Sequence, residues 1–503
     1  MSRKKRLLLN TTTALLHQII TVVCGFILPR LLLSYFGSQV NGLVSSISQF
    51  LAFISFADLG VGAVVQSSLY KPLADGDNNS ISQIIKSSSS FYRKVAILFL
   101  AYVAVLVIVF PYITHGSFDG IYTSTLVIII SISLFAQYFF GITYSLLLNA
   151  DQRGYIQLVV HSISLIANTI VSVILLKAGA GIHIVKLASA VVFIIQPILL
   201  AQYANRHYHI DHHIRIQGEP IKQKWNGLAQ HFASVVLNNT DTVVLTLLST
   251  LENVSVYAVY HLAVNGVKQI LMSLTNGFDS LMGNMLAKGE KSILDATFES
   301  YEWAVHTFVT ILFTVTGILI VPFVSVYTNG IQDTNYIVPT FGILITCAQA
   351  AYCLRLPYNS IVLAAGHYKQ TQTSAIIEAL LNIFISIVLV TRYGLIGVAI
   401  GTLVSMIYRT FYLALYLQDN ITRRPFKHFI IHLGVDALQV ICMILLTQWI
   451  KLLEINYIQW LFMAIKVGIV CIVVSVGINY IFYRKVMLNN LKMISHRFSR
   501  KMS

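Results

Sequence analysis

Charge is what this chain most lacks. Lys, Arg, Asp and Glu together make up 11% of its 503 residues, where a soluble globular protein carries about a quarter. That scarcity excludes a large water-exposed surface. Acids are the scarcer sign, with 19 Asp and Glu against 34 Lys and Arg, so paired-carboxylate chemistry has few groups to draw on. The cysteines Cys24, Cys347, Cys353, Cys442 and Cys471 all fall in apolar runs. Their spacing fits neither a zinc site nor a disulfide framework, and they read as small packing residues. Long polar stretches are missing as well. The longest, Asn205 to Lys224, is too short for a packed core of its own.

What is present is apolar. The hydrophobic set reaches 56%, arranged in long runs broken by short polar turns from Thr11 to Tyr483. A membrane-crossing helix needs roughly 20 such residues, and about fourteen runs of that size can be laid out. Backbone amides in lipid must bond within a helix or a closed barrel, and these runs lack the alternation of barrel strands. The expected fold is therefore an all-α integral membrane protein of about fourteen transmembrane helices. The basic start Met1-Ser-Arg-Lys-Lys-Arg6 leads into an apolar run with no small-residue cleavage site, which predicts a retained first helix.

The expected outer turns carry only Lys177, Lys186, Arg392 and Lys451, while Lys and Arg crowd the other side. By the positive-inside bias a chain that crosses the membrane many times is expected to have both termini cytoplasmic. The net charge of +15 then reflects topology and anionic lipid partners, not nucleic acid.

An internal repeat supports two lobes. Ile166 to Leu176 aligns with Leu380 to Val390, matching Asn168 to Asn382 and Ser172 to Ser386. The predicted organisation is an N-lobe over 1–204, a cytoplasmic linker over 205–224, a C-lobe over 225–418, two additional spans over 428–483 and a basic tail over 484–503. Two like-oriented six-helix lobes suit a transporter that rocks about a central site.

Charges within a bilayer are costly, so each is a functional candidate. In the eighth span Asn265, Lys268, Met272, Asn276, Asp279 and Gly283 share a helical face. In the tenth, Tyr352, Arg355 and Asn359 do the same. Polar stripes of this kind predict a wet cavity, and cations within it predict an anionic ligand, for which the planar fork of Arg suits phosphate. The predicted substrate-binding set is Arg30, Lys268, Arg355, Asn265, Asn276, Tyr352 and Asn359. Other readings stay open: Arg355 paired with Glu378 or Asp279, Arg30 and Arg409 snorkelling to the interface. Asp436 and Lys466 are expected to neutralise one another. Asp241, Glu378, Asn382 and Thr402 are a candidate ion-coupling set, for Na+ or H+. The histidines 207, 209, 212 and 213 read as a solvated loop. No metal or cofactor is expected. With short outer loops and only isolated outer acids (Asp119, Glu252, Asp333, Glu454), the chain is not expected to be an enzyme, and without a Walker loop ATP is not expected to drive it directly.

The stretch Phe50 to Asp75 (FLAFISFADLGVGAVVQSSLYKPLAD) resembles the second span and following loop of bacterial polysaccharide-repeat (Wzx-type, O-unit) flippases. Asn10-Thr-Thr-Thr and Leu28 to Gly37 (LPRLLLSYFG) are similar to their first span, and Tyr393 to Gly401 (YGLIGVAIG) to their eleventh turn. These flippases belong to the multidrug/oligosaccharidyl-lipid/polysaccharide exporter superfamily, MATE-like in fold. The resemblance implies transfer of an undecaprenyl-diphosphate-linked oligosaccharide repeat unit from inner to outer leaflet, with the polyprenyl tail left in lipid near the two extra spans. It implies Arg30 and Lys268 as diphosphate contacts, a sodium region like that of Asp241, Asn382 and Thr402, and pathway polymerases or glycosyltransferases as protein partners. Two alternatives stand beside it. A multidrug cation antiporter of the same superfamily would bind organic cations. A polytopic polymerase or ligase of lipid-linked sugars would change its substrate's covalent length.

Overall fold

The structure is a computed structural model that describes residues 3–490 apart from 59, 115, 212, 215–227, 276, 277 and 423. The predicted site residue Asn276 therefore lies outside the described residues, as do much of the linker and most of the tail. Two compact units are formed, Met1–Ser255 and Val256–Ser503.

The first unit contains α1 (Arg3–Ala52), α2 (Val61–Asp75), α3 (Asn78–Ile113), α4 (Gly120–Ala136), α5 (Ile142–Ala150), α6 (Gly154–Lys177), α7 (Ile182–His207) and α8 (Leu228–Leu248). Within α1, Gly37 leaves the helical conformation (φ 77, ψ −179). That is the left-handed region glycine tolerates, and the kink there separates the first two expected spans. Gly76 closes α2 in the same region. Asp77 then caps α3 by accepting the amides of Asn79 (3.1 Å) and Ser80 (3.0 Å), and the Ser80 hydroxyl with these amides holds its carboxyl below the usual carboxylate range.

The second unit runs from α9 (Leu251–Thr275), which begins at the end of the first, through α10 (Phe278–Lys288), α11 (Lys291–Tyr327), α12 (Pro339–Leu354), α13 (Leu356–Ala364), α14 (Tyr368–Tyr393), α15 (Leu395–Leu417) and α16 (Lys427–Thr447) to α17 (Tyr457–Phe482). No strand occurs among the described residues. Ten helical stretches among them are long and apolar enough to cross a membrane. The rest of the fourteen expected runs is accounted for physically. The kinked α1 holds two of them. The runs at α8, at α9 with α10 and at α12 with α13 carry buried polar groups or breaks that lower their hydropathy.

The helices are inside-out relative to a soluble bundle. On α6, Ile163, Ile166, Ile170 and Ile174 are exposed, while Ser164, Asn168 and Ser172 are buried. On α14, Leu380, Phe384 and Ile387 are exposed, while Glu378, Asn382 and Ser386 are buried. Lipid accepts the apolar faces and cannot hydrogen-bond the polar ones. The repeat read from the sequence thus places its Asn and Ser pairs in equivalent, buried positions.

Glycines allow α14 and α15 to pack closely. A Cβ on Gly397 would meet the backbone nitrogen of Val390 at 2.8 Å, and one on Gly401 the backbone nitrogen of Ser386 at 2.9 Å. Small residues allow this approach where lipid supplies no hydrophobic drive. Gly401→Val is expected to destabilise the fold by about 1–3 kcal/mol, the usual cost of overpacking, read as a lower thermal midpoint of the detergent-purified protein. An unchanged midpoint would mean that the two helices are not held this closely.

The two last helices dock on α11. Leu319 of α11 packs with Met443, Met463, Val467 and Cys471. The Trp303 indole donates to Asn479 Oδ1 (2.7 Å) and Ser475 donates to Gln439 Oε1 (2.7 Å), interhelical polar bonds of the kind that bind helices in lipid.

Candidate functional site

The helix interrupted between α12 and α13 shapes the site. Pro357 has no amide for the Cys353 carbonyl, and the helix breaks at Arg355. Tyr352, one turn earlier, lies between two cations. The Lys268 ammonium of α9 stands 3.8 Å from its ring centroid, and the Arg355 guanidinium 4.1 Å. Such contacts are worth about 2 kcal/mol when desolvated. Arg355 Nη1 also donates to Glu378 Oε1 on α14. Arg409 of α15 approaches the other oxygen of the same carboxylate at 3.8 Å, and donates to the Thr371 carbonyl (2.9 Å) and to the Ser374 hydroxyl.

Lys268, Arg355 and Arg409 are 6%, 9% and 4% exposed, and Glu378 2%. Among the described residues the cluster sets three buried cations against one buried carboxylate. An unbalanced charge in a low-dielectric interior is strongly unfavourable, so the arrangement is suited to receive anionic charge.

Several expectations change here. Of the readings for Arg355, the structure takes the pairing with Glu378. Arg409 does not snorkel; it is buried in the cluster, because its partners lie on α14. Glu378 is spanned by two guanidiniums, which makes it their counter-ion. Asn382 does meet Thr402, donating to its hydroxyl at 3.1 Å. Asp436 does not pair with Lys466, which is exposed. It is bonded to His306 instead (2.6 Å). Asn265 and Asn359 are half-buried on the helices that carry Lys268 and the Arg355 break.

Arg30 and Asp241 belong to the first unit, on α1 and α8. Asp241 is buried there, where α8 meets α1 through the Ser46–Thr246 hydroxyl bond (2.7 Å). The same unit holds a cavity of ≈ 400 Å³ lined by Ser133, Gln137, Ser145, Gln157, His161 and Gln196, among others. It opens where α4 passes into α5 through a π-helical turn, Gln137–Gly141, a device frequent at functional sites. Gly141 permits Pro197 to approach, since a Cβ would lie 2.8 Å from the proline's own. Gln196 bonds His161 (3.2 Å), and His17 bonds Ser162 (3.0 Å) and meets the His161 ring edge-on at 5.0 Å. Gln137, Gly141 and Ser145 recur every four residues, which places them on one helical face.

No protein-family description and no curated protein matches the sequence. Solved structures do match in shape. The chain is similar to a lipid II flippase MurJ in an inward closed conformation, at 17% identity and a TM-score of 0.70, covering 95% of this chain and 99% of that one. It is similar to an inward-facing multidrug resistance MATE family transporter of the MOP superfamily (13%, 0.59, 80% and 95%), and to the eukaryotic MATE transporter AtDTX14 (14%, 0.55, 86% and 99%). From end to end, this chain has the fold of the flippases and transporters of that superfamily.

Proposed function

We propose that the protein is a flippase that carries undecaprenyl-diphosphate-linked oligosaccharide repeat units from the inner to the outer leaflet of a bacterial cell membrane by alternating access, for cell-surface polysaccharide synthesis. The observation that carries this reading is the surplus of buried positive charge around Tyr352. A diphosphate brings about two negative charges at neutral pH, matching three cations against one carboxylate. An exporter of organic cations would need the opposite polarity. The cavity of the first unit, uncharged and rich in amide, hydroxyl and imidazole groups, suits the hydroxyls of a glycan. An apolar cleft of ≈ 490 Å³ among α11, α12 and α16 suits a polyprenyl tail. Lys86, Arg93 and Lys94 line a further cavity of ≈ 490 Å³ fit for an anionic lipid headgroup. With both termini cytoplasmic, export of two charges would gain roughly 4–5 kcal/mol per 100 mV from a negative interior.

Proteoliposomes loaded with undecaprenyl-diphosphate-linked oligosaccharide are the direct test. Transfer between leaflets is expected, with the lipid's covalent length unchanged. Transport of organic cations instead, or lengthened glycans, would overturn the reading. Within the same assay Gln196→Leu is expected to slow transfer about five-fold, the worth of one hydrogen bond of about 1 kcal/mol, and to leave transfer of undecaprenyl diphosphate without a glycan unaffected. Equal slowing of both lipids would remove the cavity from glycan recognition.

A further inference from the structure

A second buried cluster lies in the second unit. Glu302 and His306 are one turn apart on α11, and His432 and Asp436 one turn apart on α16. Tyr358 comes from α13 and Arg424 from the segment before α16. Glu302 and His306 are each 1% exposed, His432 4% and Asp436 8%. The contacts form an unbroken chain. Arg424 Nη1 meets Glu302 Oε2 (2.5 Å), Tyr358 Oη donates to Glu302 Oε1 (2.6 Å), His306 Nε2 meets Tyr358 Oη (3.2 Å), and His306 Nδ1 meets Asp436 Oδ2 (2.6 Å). His432 Nε2 lies 3.4 Å from Glu302 Oε2, with the Tyr483 ring at the end of α17 stacked on it at 4.7 Å. His428 on α16 and Cys347 on α12 are further titratable groups beside the cluster among the described residues.

The polarity of these bonds fixes a proton. Tyr358 has one hydroxyl hydrogen, and it is directed to Glu302. Toward His306 the phenol oxygen can only accept, so His306 Nε2 must donate. An ionised Asp436 can only accept, so Nδ1 must donate as well. Both ring nitrogens are then protonated. The other arrangement, a protonated Asp436 donating to Nδ1, contains the same number of protons. Either way the His306–Asp436 pair holds one proton more than a neutral imidazole beside a carboxylate. With that proton, Glu302, Asp436, Arg424 and His306 sum to zero charge. Without it, a net negative charge is left buried, and a neutral His306 has one N–H for two acceptors. Then either one of its two ties, to α16 or to α13, opens, or Tyr358 turns its hydroxyl to Nε2 and its bond to Glu302 on α11 opens instead.

We propose that His306 and Asp436 form a proton-binding site that, when occupied, locks α16 and α13 onto α11, and so couples the protein's conformational cycle to a proton. The proton leaves to solvent from the pair and returns to it, with no other bond changed. Asp436 borders the cleft among α11, α12 and α16. α13 follows directly on the break at Arg355, so a tie on Tyr358 bears on the helix next to the cationic cluster. The site stands on its own geometry and does not depend on the identity of the transported lipid.

The test uses the full-length protein in lipid nanodiscs with ¹⁵N-labelled histidine. At pH 7.5 one imidazole, identified by its loss in His306→Gln, is expected to have both nitrogens protonated. In Asp436→Asn it is expected to become a neutral ring with one protonated nitrogen. A neutral His306 ring beside an ionised Asp436, read from the carboxyl signal of ¹³C-labelled aspartate in the same sample, would overturn the proposal; a neutral ring beside a protonated Asp436 is the other arrangement of the same proton and supports it. Hydrogen exchange of residues 427–447, corrected for intrinsic pH dependence, needs no substitution. Protection of wild-type α16 is expected to fall as the pH is raised from 6 to 9, and Asp436→Asn to show no such fall. Protection independent of pH in the wild type would equally defeat it.

Discussion

Lys268→Ala is expected to slow leaflet transfer of undecaprenyl-diphosphate-linked oligosaccharide by roughly 10- to 150-fold at subsaturating substrate, the effect of losing one charged hydrogen bond of about 1.5–3 kcal/mol. The reason lies in how the two principal cations are engaged. Arg355 is paired with Glu378, and its guanidinium is partly satisfied before any ligand arrives. Lys268 rests on the face of Tyr352, a contact that leaves the ammonium's hydrogens available to an oxyanion. Lys268→Arg retains charge but not the compact fit above the ring, and is expected to retain part of the activity. Folding of Lys268→Ala is expected to be intact, since removing it reduces the buried positive surplus. Wild-type transfer by a variant with wild-type yield and melting temperature would show that Lys268 takes no part.

Glu378→Gln is expected to be the most destabilising single change in the second unit, by about 3–5 kcal/mol, the cost of removing one partner from a buried ion pair. It would leave Arg355 and Arg409 facing one another with their shared counter-ion gone, beside Lys268. The measurement is the thermal midpoint of the purified protein. Arg355→Met together with Glu378→Leu is expected to lower it less than Glu378→Gln alone, because one guanidinium, that of Arg409, is left without its counter-ion instead of two. If Glu378→Gln melted as the wild type does, yet lost dependence on Na+ or H+, the carboxylate would be an ion ligand and the pairing described above would not be its role.

Much of the architecture was legible from apolar run lengths alone. Spans, breaks and the buried Asn168 and Asn382 repeat follow from which residues a bilayer will accept, a property of composition and period. The contribution of Lys268, Tyr352 and Arg355 to one site was legible from helical spacing. Arg409 was not, since its depth along α15 gives no hint that Thr371, Ser374 and Glu378 wait on α14. Glu302 and His306 were missed for a related reason. They sit near the start of a long helix, where a charge is ordinarily left to water, and the signal available was their one-turn spacing, matched by His432 and Asp436.

The sequence by itself determined that the chain is a bundle of membrane helices, that polar groups line its interior, and that cations outnumber acids there, because transfer from water to lipid acts on each residue singly. Only the tertiary structure decided which charge answers which: Glu378 to Arg355 and Arg409, Asp436 to His306, and Lys268 to the face of an aromatic ring. Those choices depend on distances of a few ångströms between helices far apart in the chain, where Coulomb energy and hydrogen-bond polarity, not hydropathy, select the partner.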